Sequence, residues 1–267
     1  MTALAVVHHD NGVAELVMDN PPVNALPVAG WFELADTLQG LGADAAVRAV
    51  VLRAEGRGFN AGVDIKEMQA SEGFGALVGA NRGCYAAFAA VYECAVPVIA
   101  AVHGYCLGGG IGLVGNADIV IASEDATFGL PEVDRGALGA ATHLARLVPQ
   151  HKMRAMVYTS AIATAAELHR YGSVLEVVPR EELRPTALAV AGLIADKMPG
   201  VIRAAKESLN GIDPVDVRRS YRFEQGFTFE LNLLGHGDEA RDAFVRGAGA
   251  QPSAPAGGAA AQEAPGP

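Results

Sequence analysis

The sequence predicts an α/β fold with a helical C-terminal region, and three observations carry that prediction. Short apolar, β-branched runs recur in the first half, at Ala46–Arg53, Val98–Val102 and Asp118–Ser123, each the length of a buried strand. Segments with helical spacing separate them, and glycine-bearing turns follow two of the runs. From Arg180 to Phe244 the pattern is helical throughout, at Leu183–Lys197, Val201–Leu209, Val215–Leu234 and Asp238–Phe244. Strand–helix units followed by a helical run divide the chain into a core domain over 1–195 and a helical region over 196–246. Residues 247–267 are almost entirely Gly, Ala, Pro, Ser and Gln, which cannot bury enough surface to offset chain entropy. A disordered tail is expected there.

Taken in order, Ala3–His8 and Val13–Met18 flank Asp10-Asn11-Gly12, the signature of a β-hairpin. Asn20-Pro21-Pro22 is extended or turning, because a residue before proline avoids the α region. Pro27 suits the first turn of a helix carrying Trp31, Leu34, Leu38 and Leu41 on one face. Gly56–Asp64 leads into a short helix at Ile65–Gln69, and Gly73–Glu93 has helical spacing with an aromatic stripe. After Asp118–Ser123 come a short piece at Ala126–Phe128, a loop at Pro131–Gly139, helices at Ala140–Leu147 and His151–Ser160, and a strand at Val174–Val178.

Composition narrows the function classes. Of 267 residues, 51% are hydrophobic and 19% charged, an ordinary globular balance with enough chain for a full core. Thirty acidic against twenty basic residues give a net charge of −10, with the basic residues scattered. That argues against nucleic acid and against an anionic membrane surface as partners. A polyanionic small ligand needs only a few local cations and stays open. No apolar run reaches membrane-spanning length, and the N-terminal stretch lacks the pattern of a secretory signal. Cys84, Cys94 and Cys106 form neither a metal spacing nor an even disulfide set. They read as reduced core thiols of a cytoplasmic protein, with no metal site.

The chemistry-bearing stretch runs from Val96 to Gly112. A buried strand is followed by Gly104, then by Gly108-Gly109-Gly110 at the start of a helix-compatible segment. Side chains there would block close approach, and N–H groups at a helix start are unpaired and positive. Close helix–strand contact would account for such a triplet equally well. A second glycine-bearing turn, Phe59-Asn60-Ala61-Gly62-Val63-Asp64, also follows a buried strand and shifts the balance toward a site for an oxygen that becomes anionic.

Together with Asn24-Ala25-Leu26, Pro131-Glu132 and Ala205-Lys206-Glu207, these paired turns resemble the crotonase (enoyl-CoA hydratase/isomerase) superfamily, in order from about Gly12 to Phe244. The resemblance implies a crotonase-like spiral of β-β-α units, C-terminal helices that form a homotrimer or a dimer of trimers, and an acyl-CoA ligand. CoA is then part of the substrate, and no separate cofactor is implied. It further implies an oxyanion hole from the backbone N–H groups of Val63 and Gly109, which would hold a thioester enolate. Ala25, Ala61, Ile65 and Gly108 would line the substrate site. Lys66 could meet the CoA phosphates, or be a solvated helix lysine; Asp64 is better suited to capping its helix.

The departures from the family pattern matter as much. Hydratases of the family place one glutamate two residues after the triplet and another in the Pro-Glu motif. Here the first position is Gly112, so only Glu132 remains, with Asp134 and Arg135 close by in sequence. Gly112 is also expected to free volume for a bulkier acyl group, and His143 is a third candidate polar group. Longer segments, among them GRGFNAGVDIKEM and YRFEQGFTFELNL, resemble a branch of the family that opens a ring of a bicyclic, steroid-derived ketone carried as a CoA thioester. That implies a hydrolytic retro-Claisen step, with Glu132 and Asp134 activating water. Alternatives are hydration or isomerisation of a 2-enoyl-CoA, and an inactive acyl-CoA-binding protein. More distant is an NAD site, since Gly110-x-Gly112-x-x-Gly115 fits the dinucleotide pattern literally but starts too far from its strand.

Overall fold

The computed structural model describes residues 4–246; the tail expected to be disordered lies outside the described residues. β1 (Leu4–His8) and β2 (Val13–Met18) form the antiparallel hairpin, and α1 (Val28–Ala43) buries Trp31, Leu34, Leu38 and Leu41 as its spacing predicts. β3 (Ala49–Ala54) pairs parallel with β2, followed by the short α2 (Ile65–Ala70) and by α3 (Gly75–Glu93). The chain then passes twice between two sheets. β4 (Val98–Val102) is followed by β5 (Tyr105–Leu107) and α4 (Gly109–Val114), and β6 (Ile119–Ser123) by β7 (Thr127–Gly129). A 3₁₀ turn at Glu132–Arg135, α5 (Ala141–Leu144) and α6 (Gln150–Thr159) lead to β8 (Ile162–Thr164), α7 (Ala165–Tyr171) and β9 (Glu176–Val178). Four helices finish it: α8 (Arg180–Ala195), α9 (Pro199–Gly211), α10 (Val217–Leu233) and α11 (His236–Val245).

The large sheet has the order β1-β2-β3-β4-β6-β9 and is parallel beyond its first pair; the small one has the order β5-β7-β8. Each pass leaves one strand in the large sheet and the next in the small one, which is the β-β-α spiral. The parallel strands are buried on both faces, so they read as unbroken apolar runs. One face meets a core of Trp31, Phe59, Phe88 and Phe128. The other is closed by Leu183, Ala187, Ala191 and Ala195 of α8, against Val13, Ala49, Val51, Ile99, Ala101 and Ile121. Among the described residues no single helix is long and apolar enough to cross a membrane.

Three elements escaped the periodicity analysis. β5 and β8 are three residues long, too short to show alternation, and α7 follows β8 without a break. The helix expected at Ala140–Leu147 reduces to the single turn of α5: left-handed Ala140 (φ 61°) caps its start, and past Ala145 the bonding tightens to i→i−3, Arg146 N–H to His143 O and Leu147 N–H to Leu144 O. α10 carries many aromatic residues, yet turns Gln225, Thr228 and Asn232 inward with Tyr221 and leaves Phe223, Leu233 and Leu234 about 70% exposed.

α9 is anchored by a buried charge. Lys206 is 4% exposed, and its Nζ lies 2.6 Å from Asp118, which also accepts from Val98 N–H at 2.8 Å. The pair ties the helix to the start of two central strands. Breaking a buried pair leaves a charge uncompensated, but Asp118 keeps some contact with water, which lowers the cost. Lys206→Met is expected to lower stability by about 2–3 kcal/mol in chemical denaturation. Wild-type stability in that variant would show that the pair contributes nothing.

Candidate active site

The first turn is held by three asparagines. Asn60, fully buried after β3, donates to Asn24 O at 2.6 Å and accepts from Gly62 N–H at 2.8 Å. Asn24 donates to Glu55 O and Gly58 O, and Asn20 donates to Ala25 O. Leu26 N–H donates to Gly62 O at 2.9 Å, and Asp64 N–H to Leu26 O at 3.0 Å. This ladder steps over Val63, whose N–H has no acceptor among the described residues.

The second turn is fixed from both sides. Leu107 N–H donates to Asn60 O at 2.9 Å and Gly108 N–H to Gly129 O at 3.1 Å. Gly108 has φ 57° and ψ −118°, a conformation that only glycine adopts at low cost, and a Cβ there would lie 2.6 Å from Glu132 Oε1. Gly109 opens α4, so its N–H has no intrahelical partner. A Cβ on Gly109 would meet the Trp31 ring, and one on Gly62 would stand 3.2 Å from Gly109 N. The two turns therefore touch, and two free N–H donors face one cavity.

That cavity measures about 400 Å³ and is mostly apolar. Ala25, Ala61, Val63, Ile65, Gly108 and Gly109 line it, as the sequence reading expected. Lys66 lies exposed at the rim. Asp64 also borders the cavity, but its carboxylate accepts from Lys66 N–H at 2.9 Å and Glu67 N–H at 3.4 Å, which makes it the N-cap of α2.

Glu132 begins the 3₁₀ turn that ends at Gly136. It lines the cavity, and its Oε2 is shielded from water with no hydrogen-bond partner. Burial raises its pKa from 4.5 to about 7; its own backbone N–H and the Arg135 charge oppose the rise, and Glu224 adds to it. Such a carboxyl changes protonation state near neutrality, as a general base should.

Two expected site residues are not brought in. Asp134 points the other way off the turn, exposed and away from the cavity lining, because successive residues of a 3₁₀ turn diverge by about 120°. His143 is 1% exposed and sits behind the cavity wall, its ring centroid 5.0 Å from Phe88 and 4.9 Å from Tyr221. Desolvation and the Arg146 charge push it down to about 3, so it is a neutral core residue. The volume expected at Gly112 is also taken: a Cβ there would collide with the Phe88 ring, which lines the cavity instead. Gly110, Gly112 and Gly115 lie along α4 and at its C-terminal end, facing Asn60, Phe88 and His143. The dinucleotide-like pattern is thus a close-contact stripe.

The far wall comes from residues that motif reading missed. Thr228 accepts from Leu138 N–H at 3.0 Å and donates to Leu138 O at 2.6 Å. Glu224 accepts from the N–H groups of Ala141 and Thr142 and from the Thr142 hydroxyl. These contacts hold the loop after Glu132 on the inward face of α10. Tyr221 and Thr228 of α10 and Arg241 and Phe244 of α11 reach the cavity. Their only sequence signal was polar residues at helical spacing among aromatics.

Residues 8–235 match the family model described as enoyl-CoA hydratase/isomerase. The chain belongs to that family. Within it, the chain is 67% identical over 235 residues to the (7aS)-7a-methyl-1,5-dioxo-2,3,5,6,7,7a-hexahydro-1H-indene-carboxyl-CoA hydrolase of Rhodococcus jostii (strain RHA1), covering 88% of this chain and 91% of that protein. The protein of the same name from Mycobacterium tuberculosis (strain ATCC 25618 / H37Rv) is also 67% identical over 235 residues, covering 88% and 95%. A probable enoyl-CoA hydratase of Rhizobium meliloti (strain 1021) is 34% identical over 244 residues, covering 90% and 94%. Among solved structures, an enoyl-CoA hydratase/isomerase from Xanthobacter autotrophicus Py2 superposes with a TM-score of 0.82 at 28% identity, covering 91% of each chain.

The raised Glu132 pKa has a stability consequence. Because the folded value lies above the ordinary one, the unfolded chain loses this proton first as pH rises. Stability is then lost between 4.5 and about 7. Glu132→Gln is expected to remove a slope of about 1.4 kcal/mol per pH unit across that window. Thermal melts should show the variant gaining on wild type from pH 5 to 8; identical pH profiles would contradict the buried-acid assignment.

Proposed function

We propose that this protein hydrolyses a carbon–carbon bond in the ring of a bicyclic diketone carried as a CoA thioester. The observation that carries the reading is a single buried carboxyl, Glu132, sharing one apolar cavity with two free backbone N–H donors. The names of the 67% identical relatives support the substrate class. Water addition to a 2-enoyl-CoA through two family glutamates is disfavoured, because the second position is Gly112 and Phe88 fills its space.

In the proposed mechanism Glu132 takes a proton from water as its oxygen bonds to the ring ketone carbon. The adduct collapses, the ring carbon–carbon bond breaks, and its electron pair delocalises into the thioester. The Val63 and Gly109 N–H groups hold the resulting enolate oxygen, and Glu132 returns the proton to carbon. The thioester survives, CoA leaves as part of the product, and the reaction draws on no separate cofactor. Lys66 at the rim is placed to meet CoA phosphates. The three buried, unpaired cysteines fit a reducing cytoplasm.

The test is mass spectrometry of the bicyclic diketone CoA thioester after incubation with enzyme. The product should gain one water and keep its CoA, whereas crotonyl-CoA should react poorly. Glu132→Gln should slow turnover by about 10²–10⁴, and wild-type kcat/KM should fall as pH drops below about 7. Release of free CoA, or rapid hydration of crotonyl-CoA insensitive to Glu132→Gln, would refute the assigned reaction.

For assembly we propose a homotrimer or a dimer of trimers. α10 spends its polar face on the loop and leaves Phe223, Phe227, Leu233 and Leu234 exposed, while α9 exposes Leu209. Large apolar side chains left exposed in this number on one helix, with Phe223 and Phe227 in edge-to-face contact, are normally covered. Sedimentation should find a trimer or hexamer at micromolar concentration; a monomer would reject the assembly.

A further inference from the structure

The proposed reaction develops negative charge at two ends of the acyl group. The Val63 and Gly109 N–H groups serve the thioester oxygen. A second charge appears on the ketone oxygen when water adds, and it ends as a carboxylate once the ring opens. The cavity holds a cation suited to it. Arg135 closes the same 3₁₀ turn that Glu132 opens, and it lines the same cavity.

The state of this guanidinium is unusual. Its Nε is buried and has no hydrogen-bond partner among the described residues. One terminal nitrogen makes a long 3.4 Å contact with Pro131 O, and the group lies over the Phe244 ring at 4.3 Å. Among the described residues it forms no ion pair, even with the neighbouring Glu132. The other cavity cations are differently placed: Arg241 pairs with Asp238, and Lys66 stands at the exposed rim. A shielded guanidinium with an idle donor, facing apolar walls, is a costly arrangement unless an anion arrives.

We propose that Arg135 is that anion's partner: it holds the ketone oxygen as water adds and then the carboxylate that ring opening creates. The proposal rests on the ring-opening reading. Atoms and charges balance. Water gives its oxygen to the ketone carbon and one proton to Glu132, leaving an alkoxide on the former ketone oxygen beside Arg135. Collapse re-forms the C=O, breaks the ring bond and sends the electron pair toward the thioester. Glu132 returns its proton to carbon, and the new carboxylic acid releases its remaining proton to solvent and pairs as carboxylate with Arg135. A planar guanidinium fork suits both the alkoxide stage and the two-oxygen carboxylate better than an ammonium would. The cavity should therefore recognise CoA thioesters that bear a second, distal carboxylate.

Binding measurements test this apart from turnover. The probes are the mono-CoA thioester of heptanedioic acid and the same thioester with its distal acid as the methyl ester, titrated by calorimetry. Wild type should bind the free acid about 10–100-fold more tightly, the range for a charge-assisted pair. Arg135→Met should erase that preference while leaving methyl-ester affinity unchanged, which also shows that the variant is folded. Arg135→Lys should keep only part of it. In turnover, Arg135→Met should lower kcat by about 10²–10³. Equal binding of the two probes by wild type, or a preference that survives Arg135→Met, would overturn the role of Arg135. If the preference is lost as expected but the bicyclic diketone is not opened, the ring-opening reading fails and the anion site stands.

Discussion

Everything in the site depends on two glycine-bearing turns being brought into contact, with the Val63 and Gly109 amides left without internal hydrogen bonds among the described residues. The contact is steric in origin: a Cβ on Gly62 would press on Gly109 N, and one on Gly109 would run into the Trp31 ring. The free amides are a matter of hydrogen-bond accounting. Asn60 takes up the Gly62 N–H and Leu26 O the Asp64 N–H, which leaves the Val63 N–H between them without an acceptor among the described residues. On the second, a helix start leaves Gly109 unpaired by necessity. Donors fixed in this way need no reorganisation when charge develops in front of them.

Around those donors the protein tolerates unfavourable electrostatics. Glu132 Oε2 and Arg135 Nε are both buried without a hydrogen-bond partner, and the two side chains do not pair with each other, although they share one turn and carry opposite charge when ionised. Pairing them would relieve the cost but would also tie up the base and the cation together. The strain is borne by a well-built surround. Glu15, fully buried in the large sheet, is held by His9, Arg53 and Arg184, which bring its carboxyl down to about 2 against the cost of burial. Among the described residues the buried charges of Glu15 and Lys206 in the frame are paired, whereas Glu132 and Arg135 at the cavity form no ion pair.

The C-terminal helices link these two regimes. α10 inverts the usual pattern by burying Gln225, Thr228 and Asn232: Thr228 pairs with Leu138 of the loop after Glu132, Gln225 donates to Asn81 O of α3, and Asn232 donates to Thr228 O. Gly136 at the end of that turn stands against His236 and Gly237 of α11, so the turn is braced from the C-terminal side as well. The position of the Glu132 carboxyl is therefore set jointly by the early spiral and the last two helices.

The sequence by itself determined the order of the large elements, since unbroken apolar runs and helical periodicity are local properties that survive any tertiary arrangement. The two glycine-bearing turns were legible too, because a missing side chain is a local property, while the donor roles of Val63 and Gly109 and the role of Glu132 were implied by resemblance to the family. What only the tertiary structure decided is which polar residues near those motifs face the cavity. Asp134 and Arg135 are neighbours in sequence, yet the pitch of one 3₁₀ turn sends one to solvent and the other inward. His143 is excluded by the Phe88 and Tyr221 rings, and Phe88 occupies the space that Gly112 leaves. Tyr221, Thr228, Arg241 and Phe244 reach the cavity across contacts roughly a hundred or more residues apart in the chain, which no local pattern encodes. Direction and long-range contact are consequences of packing, and packing is a property of the folded whole.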